Sequence, residues 1–372
     1  MRLGMIGFAG FLGQFPLETL LLAAVIVMLG ILIMLSTRTG EGPGAPPMAS
    51  LKLAMFLTAA AIFGLSLLVL NGLFVSLGFT LRTLVWTVSA FVAFFMLFQW
   101  LFAPAFINTV YRVQVIDRPR GAEEAWLKET VERLAAASGL RKPPKVGIAW
   151  GIPMPNAFAY SSPLMGSFVA VTPSLLRNMP REEVEAVLAH EVGHLKHRDV
   201  TMMLAVSFIP VIIYELGRYL MYLSLFGLGY GGYAHGYDSE ERGGGPALLV
   251  LLAIALLALG IAFHFLVRHF NRLREYYADA HSALTLGDPR PLQRALARLD
   301  LMYRKAGGGR VEGSSSMLSM LFIFSYFVSP FYDPVDAHVE RLRRTKTSLL
   351  QEIFMTHPPI PKRIRFLDRL TT

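Results

Sequence analysis

Cysteine is missing from all 372 residues. Its absence excludes a disulfide scaffold, thiolate metal sites, iron–sulfur clusters and a cysteine nucleophile. Charge is scarce as well: Asp, Glu, Lys and Arg make up 16% of the chain, against 54% hydrophobic residues. Soluble proteins carry about 25% charged residues, so a large water-soluble globule is excluded. Apolar content this high also excludes intrinsic disorder, because it suffices to bury a core. The formal net charge is +9. No nucleic-acid-binding motif accompanies it, and its distribution along the chain gives it another meaning.

Only six charged side chains fall in residues 1–106: Arg2, Glu18, Arg38, Glu41, Lys52 and Arg82. Between them run apolar stretches near the roughly 20 residues that cross a bilayer as a helix. Three candidate spans lie there, at about Thr19–Leu35, Leu53–Phe74 and Leu84–Ile107. Two more follow, at about Met202–Tyr222 and Ala247–Val267. The first can alternatively be read as a cleaved signal peptide. Glu215 and Arg218 fall inside the fourth span, three residues apart, where charge is costly and calls for a partner.

The loop 230–246 holds Asp238, Glu240 and Glu241 against Arg242 alone, whereas residues 270–372 hold 16 basic and 10 acidic side chains. By the positive-inside rule the loop is external, and residues 107–199 and 270–372 are cytosolic. The basic excess therefore marks orientation in the cell membrane and attraction to anionic lipid, not nucleic acid. Four regions result. Residues 1–106 are an N-terminal transmembrane region, 107–199 a cytosolic segment, 200–269 a transmembrane hairpin, and 270–372 a second cytosolic segment. Neither cytosolic piece makes a comfortable domain alone. The expected fold is mainly α: multipass transmembrane helices carrying one cytosolic α+β domain assembled from two segments.

The chemistry sits in His190-Glu191-Val192-Gly193-His194. On a helix, histidines four apart lie about 40° apart and can hold one metal ion. Glu191 projects from a neighbouring part of the surface and can serve as general base toward an attacking water. Pro180, the early acids Glu182 and Glu183, and the late Lys196, His197 and Arg198 predict a helix over about 181–198. A motif this short also arises by chance, so a third ligand is the test. The second cytosolic segment opens with Glu275-Tyr276-Tyr277-Ala278-Asp279. Glu275 can complete a His₂Glu site with one open position. Asp279, four residues on, can hydrogen-bond a ligand histidine. The alternative is an exposed Glu275 beside Arg272 and Arg274.

These residues resemble the HtpX family of membrane-embedded zinc metalloproteases. The likeness runs from about Val146 to Arg363. It is carried by Pro155-Asn156-Ala157-Phe158-Ala159, Val169-Ala170-Val171-Thr172, Leu188 to His194, Glu275 to Ala280, and His357-Pro358-Pro359 with Arg363-Ile364. The resemblance implies a zincin-like protease domain with one Zn²⁺ per chain, held by His190, His194 and Glu275, and with Glu191 as base. It also implies that Asn156 and the stretch 168–172, with Val169, Ala170 and Val171, form an edge strand that binds substrate. Such an edge offers backbone groups to an extended peptide. For Asn156 a turn residue is the alternative. His357 and Arg363 are implied as oxyanion stabilisers, or else as a structural turn capped by an ion pair. The family often has four spans, where five are counted here.

The function expected is cleavage of membrane proteins or their cytosolic segments, with lipid bilayer and peptide as partners, and the resemblance implies a place in membrane protein quality control. A CAAX prenyl-protein endopeptidase of the related zinc class is the enzymatic alternative. A zinc-binding membrane scaffold is the other, and an intact Glu191 counts against it.

Overall fold

Runs without charge become long helices, and the alternating stretches between them become a small sheet. The computed structural model describes residues 48–76, 79–227, 245–305 and 334–370. In chain order the elements are helices α1 (Met48–Ser76) and α2 (Phe79–Val110), strand β1 (Val113–Val115), helix α3 (Ala122–Ala137) and strands β2 (Lys145–Ala149), β3 (Ala157–Ser162) and β4 (Gly166–Val171). Helices α4 (Pro173–Asn178), α5 (Arg181–Lys196), α6 (Asp199–Tyr222), α7 (Gly245–Leu286), α8 (Arg290–Lys305), α9 (Val335–Arg344), α10 (Leu349–Phe354) and α11 (Ile360–Asp368) follow.

Among the described residues three stretches are long and apolar enough to cross a membrane: Val85–Val110, Asp199–Leu225 and Leu249–Leu286. They take in the third, fourth and fifth expected spans. The second falls in α1, whose apolar part is the shorter Leu53–Ser66. The first, at 19–35, and most of the acidic loop lie outside the described residues.

The chain divides into two compact units. One contains Phe56–Leu97 and Leu204–Val267. Within it α6 and α7 pack backbone to backbone through glycine, as membrane helices do where small residues permit close approach. A Cβ on Gly217 would lie 2.9 Å from the Leu257 amide nitrogen, and one on Gly260 would lie 3.0 Å from the Tyr214 Cβ. Arg218 reaches back to Glu215, with Nε and Nη2 at 2.9 and 2.5 Å from Oε2. Their local pairing is as expected for charge at that position, and the 68% exposure of Arg218 shows it turned outward.

The other unit contains Phe98–Met203 and Arg268–Thr372. Its sheet has the order β1-β2-β4-β3, with β2 and β4 parallel and both outer pairs antiparallel. Side chains alternate between two cores, as the two-residue period of a strand requires. Val146, Ile148, Ala157, Val169 and Val171 join the larger one, with Leu127 and Val131 of α3, Val187 and Leu188 of α5 and Leu296 of α8. Phe158, Tyr160, Phe168 and Ala170 join the smaller.

One expectation is corrected here. Val169, Ala170 and Val171 belong to β4, which is hydrogen-bonded to β2 on one side and β3 on the other. It is a central strand and offers no edge. The continuous run Phe168-Val169-Ala170-Val171 signals a strand covered on both faces, which is a mark of the interior of a sheet. The edge strands are β1 and β3, and of these two it is β3 that packs against α5.

Gly217→Ala should lower the thermal unfolding temperature of the detergent-solubilised protein, since overpacking a close contact costs about 1–3 kcal/mol. An unchanged midpoint would show that the two helices separate freely at this point.

Candidate metal centre

Helix α5 starts after Pro180, with Glu182 and Glu183 in its first turn. Glu183 is fully buried and accepts from Arg298 Nε at 2.6 Å and Nη2 at 2.9 Å, which ties α5 to α8. At the other end His197 closes the helix, and Arg198 takes a left-handed backbone at φ 54°. That conformation is uncommon outside glycine. It ends α5 and starts α6 at once, so Asp199 turns back toward His194.

Helix α7 passes closely over the motif. A Cβ on Gly193 would lie 3.1 Å from the His281 ring, tighter than an ordinary contact, so glycine eases the close approach of α7. Ser282 Oγ adds a hydrogen bond of 2.7 Å to the carbonyl of Ala186. Glu275 of α7 is thereby delivered to the histidines of α5. His190 Nε2 and His194 Nε2 lie 3.1 Å apart. Glu275 places Oε2 at 3.6 Å from the first and Oε1 at 3.6 Å from the second. Two atoms on a tetrahedral ion with bonds of 2.0–2.1 Å stand about 3.3 Å apart. The three donors fit such an ion. Glu191 belongs to the same cluster: His190, Glu191 and His194 offer atoms within 4.8 Å of one another.

Each ligand-type group has a second contact. His190 Nδ1 lies 3.0 Å from Asp279 Oδ1, and Arg363 grips that carboxylate with Nε at 2.8 Å and Nη2 at 2.5 Å. His194 Nδ1 lies 2.5 Å from Asp199 Oδ2. Arg274 Nε stands 3.5 Å from that same oxygen, while its Nη2 donates to Glu275 Oε1 at 3.0 Å. His357 Nδ1 lies 3.0 Å from Glu275 Oε2. The segment before His357 is held by α7: Arg268, Arg272 and Asn271 donate to the carbonyls of Phe354, Met355 and Thr356 at 2.6, 3.2 and 2.7 Å.

Electrostatics follow from this wiring. Burial lowers the proton affinity of His190, but hydrogen bonds to Asp279 and Glu275 outweigh it and push its pKa up to about 9. Burial holds His194 well below the ordinary histidine value. Two ring nitrogens 3.1 Å apart face one point, as imidazoles sharing one ion would. A metal ion held there would require both rings neutral, the form in which imidazoles ligate. Burial raises the Glu191 pKa to about 7; His190 opposes the shift and Glu275 adds to it. The Ala159 amide N–H of β3 donates to the Glu191 carboxylate.

The structure thus brings His190, Glu191, His194, Glu275, Asp279 and His357 together. Glu275 is 1% exposed, which removes the alternative of a solvated surface glutamate. Arg363 requires a correction: it is fully buried and its fork is taken up by Asp279, so it is a support behind His190 and not an oxyanion donor. Asn156 is fully buried at the head of β3, where its backbone N–H donates to Thr172 Oγ1 and its carbonyl accepts from the Thr172 amide, both at 2.9 Å. Asp199, Arg274 and Asn271 were missed. Asp199 had a signal, an acid five residues past His194 at the mouth of an apolar run. Nothing in spacing alone marks Asn271.

Two imidazoles and a carboxylate around one point, with a second carboxylate poised beside them, are the donor set of a metal-dependent hydrolase, and the apolar helices make it a membrane protein. Comparison narrows that class. The chain belongs to peptidase family M48, whose family model matches residues 121–371. It is 53% identical to a Protease HtpX homolog of Aeropyrum pernix over 281 residues, covering 74% of this chain and 83% of that one. It is 40% identical to Protease HtpX homolog 2 of Saccharolobus solfataricus over 293 residues, covering 77% and 86%. The family read from five short motifs is the one matched along most of the chain. The structure of S. mikatae Ste24p aligns with a TM-score of 0.46 at 19% identity, over 86% of this chain and 66% of that one.

Asp199→Ala should weaken metal binding by about 10–100-fold, the usual effect of removing a group that orients a ligand histidine. Competition with a chelator of known affinity reads this directly. Unaltered affinity would mean that the 2.5 Å contact does not orient His194.

Proposed function

We propose that this chain is a zinc-dependent endopeptidase that cuts membrane proteins or their cytosolic segments in membrane protein quality control, with its active site on the cytosolic side. The observation that carries the catalytic part is the convergence of His190 Nε2, His194 Nε2 and the Glu275 carboxylate within 3.1–3.6 Å, with Glu191 beside them. These three would hold the ion and leave one position open, as catalytic zinc sites do. When bound, the ion supplies Lewis acidity, which polarises a peptide carbonyl and acidifies a water.

The chain's own residues do the rest. Glu191 takes the proton of the attacking water and gives it to the leaving amine. The Ala159 amide fixes one carboxylate oxygen and so aims the other. His357, beside Glu275, is the donor for charge that develops on the peptide oxygen. Asp279 and Asp199 hold the two imidazoles in their tautomers, and Arg363 and Arg274 hold those carboxylates in turn. Strand β3 supplies the edge along which an extended substrate pairs. The hydrogen-bonded pair Asn156–Thr172 sets the backbone groups of even-numbered β3 residues toward β4. Those of 157, 159 and 161 therefore face outward, as the antiparallel ladder alternates. Backbone pairing reads little side-chain identity, which suits a protease that accepts many sequences.

Two variants test the reading. Wild type should bind about one zinc per chain and Glu275→Ala should lose it, measured by metal analysis after a zinc-refill step. Zinc retained in the variant would show that another residue is the third ligand. Glu191→Gln should keep its zinc while cleavage of an unfolded test protein falls by about 10²–10⁴-fold, the range expected for losing a general base. Cleavage at the wild-type rate would overturn the mechanism.

A further inference from the structure

We propose that the turn Trp150–Pro153 is a bilayer-surface anchor, with the Trp150 indole seated in the lipid headgroup layer. The apolar stretch Val85–Val110 ends two residues before β1, and Arg112 between them stands at φ 49°. That left-handed residue turns the chain out of the helix and into the sheet. Strand β1 runs away from the end of the helix. Strand β2 is antiparallel to it, in the register Val113↔Ala149. The chain therefore comes back to the level where the apolar helix stopped, and the next residue is Trp150.

The return is pinned. The amide of Trp150 donates to the Arg112 carbonyl at 3.3 Å, and the amide of Gly151 donates to the Tyr111 carbonyl at 2.8 Å. A Cβ on Gly151 would lie 2.8 Å from that carbonyl. Glycine there presses the turn against the helix end and leaves it no freedom to lift away. What the turn presents is apolar: Trp150 is 57% exposed, Gly151 and Pro153 are exposed, and no charged residue occurs from Trp150 through Tyr160. A large exposed indole is unusual on a wet surface. Phe102 and Phe106 make an exposed row on the last turns of α2, at 45% and 63%, and the turn bearing Trp150 is pinned to the end of that helix. That row belongs to a stretch apolar enough to lie in lipid, so the occupant of the Trp150 surface is lipid too. Indole rings favour the headgroup level, where one edge is apolar and the N–H is wet. The exposed Arg112 next to it suits the phosphate layer.

The anchor has a consequence for the neighbouring strand. The turn leads through Asn156 directly into β3, so the bilayer surface fixes the depth at which the edge strand starts. The inference itself rests on the membrane character of the chain and not on its proteolysis.

The test uses the full chain in vesicles of phosphatidylcholine with a minority of phosphatidylglycerol, the phosphatidylcholine brominated either close to the headgroup or near the chain end. Tryptophan emission is recorded for wild type and for Trp150→Phe, and the difference is the Trp150 signal. That signal should be blue-shifted from water-exposed tryptophan and quenched at least about twofold more by the shallow bromine than by the deep one. Trp150 emission at the water-exposed position, quenched by iodide and untouched by bromolipid, would overturn the anchor. Equal quenching by deep bromine would overturn it as well, by placing the ring inside the hydrocarbon. Trp150→Phe lies outside the ligand cluster and should keep wild-type zinc content, which shows that the variant is folded. A failed anchor therefore leaves the peptidase reading standing, and a failed metal assay leaves the anchor standing.

Discussion

The site depends on one close approach, that of α7 to α5 at Gly193. Two histidines on one helix can never complete a metal site with a glutamate of the other unless the helices nearly touch. At Gly193 the helix α5 has no side chain, and the His281 ring occupies the space. Ser282 fastens the same crossing through the Ala186 carbonyl. The rest follows as geometry. Glu275 precedes Ser282 by seven residues, two turns of helix, so it lies on the same face. With α7 pinned at Ser282, Glu275 has no option but to arrive near His190 and His194.

Charge is the second constraint. Around the cluster stand four buried carboxylates, Glu191, Asp199, Glu275 and Asp279, and two largely buried guanidiniums, Arg274 and Arg363. Burying unbalanced charge is expensive. Fully ionised, the carboxylates leave an excess of two negative charges, which is the charge a divalent cation supplies. The supports are therefore more than orienting groups. Arg363 grips Asp279 and Arg274 stands beside Asp199, so each carboxylate behind an imidazole has a cation of its own. The same pairing explains why Arg363 is buried when so large a cation is almost always at a surface.

Local signals were legible in the sequence and long-range ones were not. The helix bearing His190 and His194 could be read from its proline, early acids and apolar period. Glu275 and Asp279 could be read from their spacing of four, which puts both on one face. What spacing cannot show is which partner a side chain meets across the fold. Arg363 lies 84 positions from Asp279 in sequence, so its choice between an oxyanion and an ion pair was open until the helices were placed. Strand order fails for the same reason. The run Phe168–Thr172 reads as a strand from its residue types, but edge and centre differ only in what pairs on the second side. Covered on both faces, β4 took the central place, and the more mixed Ala157–Ser162 took the edge.

That placement joins the strand to the chemistry. Glu191 and the outer edge of β3 meet at one backbone group, the amide of Ala159, which points away from β4 and toward the Glu191 carboxylate. Any segment that adds to this edge must pair with the groups of 157 and 161 on either side of it. Its own backbone is then held within one residue of the carboxylate that handles the proton. In the proposed reading, position along the edge, set by ladder spacing of about 3.3–3.4 Å per residue, would decide which peptide bond stands before Glu191. Side chains need not be read for that to happen. A β3 shifted by one residue would turn the Ala159 amide toward β4 and leave Glu191 without its donor. The register of β3 on β4, fixed at its head by the paired backbone of Asn156 and Thr172, is therefore as much a part of the site as the histidines.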